Sequence, residues 1–196
     1  IVESFVKSYL SKLSLKNIMF DSKNEFSFEI NKKFKIDKLK FSSEIKLNNL
    51  KLTNKLNLKK FLPNVKDEIN FNDHIINIIY DKKNITIEGS GKILSQNEND
   101  LVNYKLKKKN EFINFETNLI VEKNPLLIDF LGYNKKSEIK ANLKLKGIYV
   151  DRKKILIESF SLDENKNKFK IDKLVLDKKF KIIEFKKIDL DYVDIE

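Results

Sequence analysis

Cysteine and tryptophan are absent from this 196-residue sequence, and proline (2), glycine (4), methionine (1) and histidine (1) are scarce. Without cysteine there is no disulfide bond and no thiolate metal site, which is as compatible with a bacterial envelope as with the cytosol. The shortage of proline and glycine leaves no flexible linker and no clear domain boundary. No apolar run reaches about 18 residues, so the sequence predicts no membrane-spanning helix.

Basic residues outnumber acidic ones by 40 to 29, which gives a net charge of +11, and Arg152 is the only arginine. Such a surface attracts nucleic acid, anionic lipid and acidic protein without choosing among them. The densest basic cluster, Lys105 with Lys107, Lys108 and Lys109, is either a solvated turn or a contact to phosphate groups. Nucleic acid is the less favoured partner because arginine is nearly absent and the phenylalanines follow the apolar phase of the pattern.

Alternation of apolar and polar residues is the dominant pattern. Between residues 112 and 121, Ile113, Phe115, Leu119 and Val121 fall on one side and polar residues on the other, as in a strand with one apolar face. Similar short strands recur along the chain, separated by polar turns. The sequence therefore predicts a mainly β fold, a long curved antiparallel meander over residues 14–196. The predicted turns lie at residues 21–24, 81–84, 107–110, 151–153 and 163–168.

Two segments have helical spacing instead. Residues 1–13 carry one apolar stripe and predict a short amphipathic N-terminal helix. Asn124-Pro125 and Gly132 are typical of helix ends, so a second short helix is expected over residues 125–131. Because the chain begins at Ile1 without methionine, we expect it to be part of a longer protein.

A phase shift and a repeated hexapeptide mark special positions in the strands. Apolar residues move from even to odd positions at Asp37-Lys38, which predicts a bulge or tight turn. The sequence FKIDKL occurs at residues 34–39 and again at 169–174. The repetition is either a structural repeat or a coincidence in a chain of low complexity.

The apolar faces of the strands need a cover, and two arrangements provide one. Two sheets could bury their faces on each other in a closed β-sandwich, which would suit a structural or interaction domain. A single long sheet could instead curl along its length and leave an apolar groove, which would require an elongated ligand. The alternation alone fits both arrangements.

Residues with catalytic potential are few. His74 follows Asp73 at the entrance of a strand and is expected to be a turn or hydrogen-bonding residue, because no second histidine or cysteine could complete a metal site. Gly89-Ser90-Gly91 resembles the start of a phosphate loop, but no helix pattern follows, and close strand approach is the better interpretation. No carboxylate pair or nucleophile motif stands out. We expect no enzyme, no metal and no cofactor.

Three stretches resemble the AsmA-like bacterial envelope proteins, in particular the large YhdP-type members. They are NFNDHIINIIYDKKNITIEGSGKI (70–93), FINFETNLIVEKNPLLIDFLGY (112–133) and FKIDKLVLDKKFKIIEFKKIDLDY (169–192). The resemblance implies a non-enzymatic segment of a repeating β-groove that crosses the periplasm and conducts phospholipid between the inner and outer membranes. It also implies an inner-membrane anchor on the parent protein and contacts with adjacent repeats of the same chain.

The groove lining that this resemblance implies is carried by the apolar phase of the strands. Acyl chains are the expected ligands, and lysine side chains are expected to contact anionic headgroups. The predicted lining residues are Phe71, Ile76, Ile78, Tyr80, Ile85, Ile87, Tyr104, Ile113, Phe115, Leu119, Val121, Leu143 and Leu145.

Overall fold

A computed structural model describes residues 15–54, 58–82, 84–128, 132–135, 139–150, 154–165, 167–177 and 182–191. The strands are β1 (Leu15–Ile30), β2 (Ile36–Thr53), β3 (Glu68–Asp81), β4 (Asn84–Leu94), β5 (Asp100–Lys109), β6 (Phe112–Val121), β7 (Leu127–Ile128), β8 (Tyr133–Asn134), β9 (Ala141–Val150), β10 (Lys154–Glu164), β11 (Asn167–Asp177), β12 (Ile182–Glu184) and β13 (Lys187–Asp191). A single 3-10 turn at Leu58–Lys60 precedes β3. The predicted N-terminal helix at residues 1–13 lies outside the described residues.

One antiparallel sheet contains eleven of these strands in the order β1-β2-β3-β4-β5-β6-β9-β10-β11-β12, with β13 also paired to β11. The prediction of a mainly β antiparallel meander is confirmed. The sheet is open. Within the described residues, β1 at one edge does not pair with β12 or β13 at the other edge. The second sheet there is the two-stranded β7–β8 ribbon, so the described residues do not form a two-sheet sandwich.

The long strands join pieces that the sequence pattern separates. β1 has 16 residues and β2 has 18. The predicted turn at residues 21–24 is wrong, because these residues continue β1 and pair with Lys46 to Ser43 of β2. Polar side chains at that point, Ser22 and Asn24, hydrogen-bond each other at 3.0 Å instead of reversing the chain.

Three hairpins have tight turns, and each of these turns places a non-glycine residue at positive φ. Lys82 follows β3, Asn110 follows β5 and Asn165 follows β10, with φ values of 47°, 55° and 52°. Two-residue hairpin turns need this conformation because its twist matches that of the flanking strands. The predicted turns at 81–84, 107–110 and 163–168 therefore lie at real chain reversals.

Three strand irregularities share one local geometry. Lys38, Asp73 and Lys173 have positive φ inside or beside a strand. In each case the apolar-phase residues around it are three positions apart instead of two, as with Ile36 and Leu39. This geometry keeps both residues on the same face of the sheet. The strand registers show a bulge at Lys38 and another at Asp73. The bulge at Lys38 explains the phase shift at Asp37-Lys38, and Lys173 in the second FKIDKL copy also has positive φ.

The predicted helix at residues 125–131 is wrong in the part that is described. Leu127 and Ile128 form β7 and pair with Asn134 and Tyr133. Gly132 has a φ of 63° and precedes β8. The same Asn-Pro and Gly signals that end helices also mark turns, and the two-stranded ribbon uses them as turn signals.

Candidate functional site

Strand registers place every predicted lining residue on one side of the sheet, which we call the apolar face. Residues that are directly paired across neighbouring strands point to the same side. One row of partners runs from Ile78 through Ile87 and Leu106 to Phe115. The next row begins at Ile76 and continues through Gly89 and Tyr104. It then crosses Thr117 of β6 to reach Leu145 of β9 and Phe160 of β10. The apolar face is therefore continuous across the long strands.

Side chains on the two sides of the sheet differ in exposure. Ile76 and Ile78 of the apolar face are half-buried, whereas Ile75 and Ile79, their neighbours along β3, are 49% and 54% exposed on the opposite side. The residues around Ile76 and Ile78 shield each other within one face, because the described residues place no second sheet above them. Among the described residues, this part of the apolar face therefore has no cover.

A cap covers the other part of the apolar face. It consists of residues 122–128 and 132–135, which include β7 and β8. Leu126 and Ile128 of the cap are buried in a hydrophobic cluster with residues of β9, β10 and β11. The members of that cluster from the sheet are Ala141, Ile157, Leu162, Phe169, Ile171 and Leu174. The core of the described structure lies here, between the cap and the last strands.

Hydrogen bonds from buried polar side chains fasten the cap to neighbouring loops. The Gln96 amide donates to the Pro125 carbonyl at 2.9 Å and accepts from the backbone N–H of Asn64 at 3.1 Å. The Lys135 ammonium donates to the carbonyls of Glu122 and Asn124 at 2.7 and 3.0 Å. Each satisfied buried group fixes the cap, since leaving one unpaired costs about 1–3 kcal/mol.

Asp100 is a buried carboxylate beneath the cap. The Asn124 amide donates to it at 2.9 Å, and the same amide donates to the Glu98 carbonyl. Burial raises the pKa of Asp100 to about 6, although the hydrogen bond from Asn124 and the positive charge of Lys135 oppose the increase. One oxygen of Asp100 is buried without a hydrogen-bond partner among the described residues. Desolvation therefore outweighs the favourable contacts.

Aromatic rings cover the glycines of the apolar face. A Cβ on Gly89 would lie 2.7 Å from Cε2 of Tyr104, and one on Gly147 would lie 2.7 Å from Cζ of Phe115. Gly89 is inside β4, so the phosphate-loop alternative for Gly89-Ser90-Gly91 does not apply. Because Gly89 and Gly147 have no side chains, aromatic rings from adjacent strands lie against their backbone. The rings compensate for the weak packing of glycine in sheets.

His74 is packed on the apolar face and is 1% exposed. Its Nε2 donates to the Lys92 carbonyl at 2.9 Å, and its ring centre is 5.3 Å from that of Phe71. Burial lowers the pKa of His74. The interpretation of His74 as a hydrogen-bonding residue fits this geometry, and no group of three potential ligands for a metal ion occurs in the described part of the chain.

The opposite side of the sheet, the polar face, carries a ladder of alternating charges. Glu88, Lys105, Glu116 and Lys146 lie on successive strands as direct partners. Lys105 pairs with Glu88, and Lys146 pairs with Glu116 at 3.2 Å. A shallow depression of about 660 Å³ lies over this ladder. Four of the charged residues that line it, Glu88, Lys105, Glu116 and Lys146, are paired with each other.

Several buried polar residues were not identified from the sequence, namely Gln96, Asp100, Asn124 and Lys135. The polar run from Ser95 to Asp100 has the composition of a surface loop, and Asn124 has the position of a helix cap. The one signal in the sequence is that Gln96 and Asp100 lie just before and at the start of β5 and Asn124 just after the end of β6, so an antiparallel hairpin brings them to the same end.

No helix in the described ranges has the length and apolar character needed to cross a bilayer.

Comparisons with family models, curated proteins and solved structures gave no match to this chain.

Proposed function

We propose that the apolar face binds the acyl chains of phospholipids. The chain would act without catalysis, as a segment of an AsmA-like β-groove that conducts phospholipid between the inner and outer membranes of a bacterial envelope. The parent protein would then be periplasmic and anchored to the inner membrane. The observation that supports this proposal is the continuous apolar face, which no second sheet covers among the described residues.

The uncapped region over β3, β4 and β5 is the preferred place for an acyl chain. Ile76, Ile78, Ile87 and Leu106 are half-buried there, and the described residues lay no strand over them. Burial of an acyl chain contributes about 0.8 kcal/mol per methylene and needs no directional contacts. The binding would therefore tolerate many lipids, as a conduit requires. Movement along the face would be passive.

Adjacent repeats of the same chain would continue the sheet at β1. This edge strand is 16 residues long and, within the described ranges, pairs on one side only, with β2. An unpaired edge of that length readily accepts a further strand. Phe20 and Phe26 of β1 are more than half exposed, and a neighbouring strand would cover them.

A structural or interaction domain is the second candidate function. The capped region favours it, since Leu126 and Ile128 form a closed core with β9, β10 and β11. In that case the open part of the apolar face would be covered by another protein segment and would hold no lipid.

Substitutions at Ile78 and Ile79 separate the two candidates, because these adjacent residues point to opposite sides of the sheet. We would purify the chain and its Ile78→Glu and Ile79→Glu variants, record native mass spectra, and identify bound molecules after organic extraction. Phe115 is a poorer choice for this test, because its ring packs against the core cluster and covers Gly147.

We expect phospholipid to accompany the original chain and the Ile79→Glu variant, and to be lost from Ile78→Glu while cooperative unfolding is retained. A charge on the polar face has access to water, whereas one on the apolar face opposes acyl-chain burial. A lipid-free mass for a folded original chain would refute the conduit and favour the interaction domain.

A photo-crosslinking amino acid at position 78 or 79 of the parent protein would test the same proposal in cells. Crosslinks to phospholipid from position 78 but not from position 79 would support transport along the apolar face. Crosslinks to protein alone from position 78 would favour the interaction domain.

A further inference from the structure

Hairpin topology gathers the basic turns at one end of the sheet, which we call the turn end. The ends of β1, β3, β5, β9 and β11 all lie there, because each runs antiparallel to the strand that follows it. The opposite end holds the longer loops and the cap. The described lysines in or beside the turns of the turn end are Lys32, Lys33, Lys35, Lys82, Lys107, Lys108, Lys109 and Lys154.

The β1–β2 hairpin projects beyond the other turns. β3 begins to pair with β2 at Lys40, opposite Asp81, whereas β1 pairs with β2 as far out as Ile36. Residues 36–39 therefore extend past the end of β3. At about 3.3 Å per residue, the tip stands roughly 13 Å beyond the turn that follows β3.

Apolar side chains occupy this tip. Phe34 is 91% exposed, and Phe28, Ile30 and Ile36 beside it are all more than half exposed. Phe34 also has a φ of 54°, a conformation that a bulky residue adopts at a cost of about 1 kcal/mol or more. Asn31 holds the turn by accepting hydrogen bonds from the backbone N–H groups of Lys33 and Lys35. Folding of the described chain gains nothing from the Phe34 side chain.

Three lysines in the turn at the tip have no carboxylate partner among the described residues, although the neighbouring Lys38 pairs with Glu29 at 2.8 Å. Lys32, Lys33 and Lys35 form no ion pair within the described residues, whereas Lys105 and Lys146 of the polar face are both paired. The positive charges of Lys32, Lys33 and Lys35 are thus left uncompensated by ion pairs among the described residues.

We propose that the β1–β2 tip docks the protein on an anionic lipid bilayer. Phe34, with Ile30 and Ile36, enters the headgroup region, while Lys32, Lys33 and Lys35 contact lipid phosphates. Apolar side chains inside a basic cluster are typical of segments that lie in a membrane interface. A nucleic acid would stack on an aromatic ring but offers nothing to exposed isoleucines. This inference does not rest on the apolar face or on its proposed ligand.

Vesicle flotation tests the docking directly. The full 196-residue chain would be mixed with vesicles of phosphatidylcholine alone, or with vesicles in which about a third of the lipid is phosphatidylglycerol. The test variants are Phe34→Asn and the triple variant K32E/K33E/K35E. Asn suits positive φ, so Phe34→Asn does not strain the turn. Phe185→Asn is the matched control, because Phe185 is exposed far from the tip, between β12 and β13.

We expect the original chain and Phe185→Asn to float only with the anionic vesicles, and to be released as salt is raised. Each lysine near an anionic surface contributes about fivefold to the partition coefficient, so the triple variant should lose binding. Phe34→Asn should weaken binding several-fold with unchanged thermal unfolding.

Three results would overturn the proposal. The first is no flotation with anionic vesicles, and the second is equal flotation of the original chain and both tip variants. The third is a tighter binding of the chain to a single-stranded oligonucleotide than to the vesicles, with the oligonucleotide displacing the tip from the vesicles. That result would make the tip a nucleic-acid contact. Loss of acyl-chain binding by Ile78→Glu without loss of flotation would leave the docking intact, so failures of the two proposals are distinguishable.

Discussion

The imidazole of His74 lies directly over Gly91, and a Cβ on Gly91 would overlap the ring and lie 2.7 Å from the His74 Cα. The two residues belong to neighbouring strands, β3 and β4. The bulge at Asp73, whose φ is 52°, turns His74 onto the apolar face at this point. A glycine, a bulge and the only histidine of the chain thus form one packing unit.

Gly91→Ala should destabilise the fold because the added methyl group has no space. The backbone of His74 would have to move, and overpacking of this kind costs about 1–3 kcal/mol. Chemical denaturation would measure the change. Ser90→Ala is the control, because Ser90 points to the polar face and is exposed, so we expect an effect within about 0.5 kcal/mol. Equal stability of Gly91→Ala and the original chain would show that His74 is not held over Gly91.

The pKa of His74 should be below the ordinary value of 6.5, because burial disfavours the imidazolium. Nε2 already donates to Lys92, and Nδ1 is buried without a partner, so a second proton would have no acceptor among the described residues. Since the chain has one histidine, NMR can follow its ring protons without assignment. A midpoint at or above 6.5 would contradict the buried position. Stability linked to His74 should fall as pH drops through the unfolded pKa of 6.5.

Asp100 should change the pH dependence of stability in the opposite direction to His74. Its pKa is about 6 in the fold and 3.8 without it, so the folded state binds the extra proton between these values. The contribution of Asp100 to stability is therefore fully present below about pH 4 and is lost as pH rises through 6, a change on the order of 3 kcal/mol. Asp100→Asn should remove that dependence and stabilise the fold at neutral pH.

Unfolding curves of the original chain and Asp100→Asn between pH 4 and 7 would check this expectation. The difference between the two curves isolates Asp100, because His74 and the other carboxylates are common to both. Asp163→Asn is a suitable control, since the Asp163 carboxylate is 38% exposed and lies 4.0 Å from the Lys144 ammonium. A difference that grows as the pH falls would contradict the inferred burial of the ionised group.

The strands and their faces were predictable from the sequence, whereas the cap and its buried polar contacts were not. The alternation of Ile76 and Ile78 with Ile75, Asn77 and Ile79 predicts a strand and, because side chains alternate, also which residues share a face. It does not predict the cap. The position of Asn124 over Asp100 depends on how loops from β4 and β6 meet, and that is a tertiary contact without a local pattern. The helix predicted at residues 125–131 failed for the same reason.

The hexapeptide FKIDKL was recognised as a repeat from the sequence, but the backbone conformation that its two copies share became visible only in the structure. Lys38 and Lys173 occupy the fifth position in the two copies and both have positive φ, 49° and 55°. Ile171 and Leu174, on either side of Lys173, are both buried. The hexapeptide thus places a lysine at positive φ in both copies, and the repetition is structural at this local level.

Lys173→Gly should stabilise the fold, because glycine adopts positive φ without the steric cost that other residues incur. Lys173 is exposed and makes no side-chain hydrogen bond or ion pair among the described residues, so the substitution removes strain and little else. We expect a gain of about 1 kcal/mol, reduced by the greater freedom of glycine in the unfolded chain. The control Lys168→Gly lies in the same strand with ordinary strand geometry and should lose about 0.5–1 kcal/mol. Urea denaturation of the two variants decides the matter: if both are destabilised equally, Lys173 is not in the left-handed conformation and the two copies of the hexapeptide do not share it.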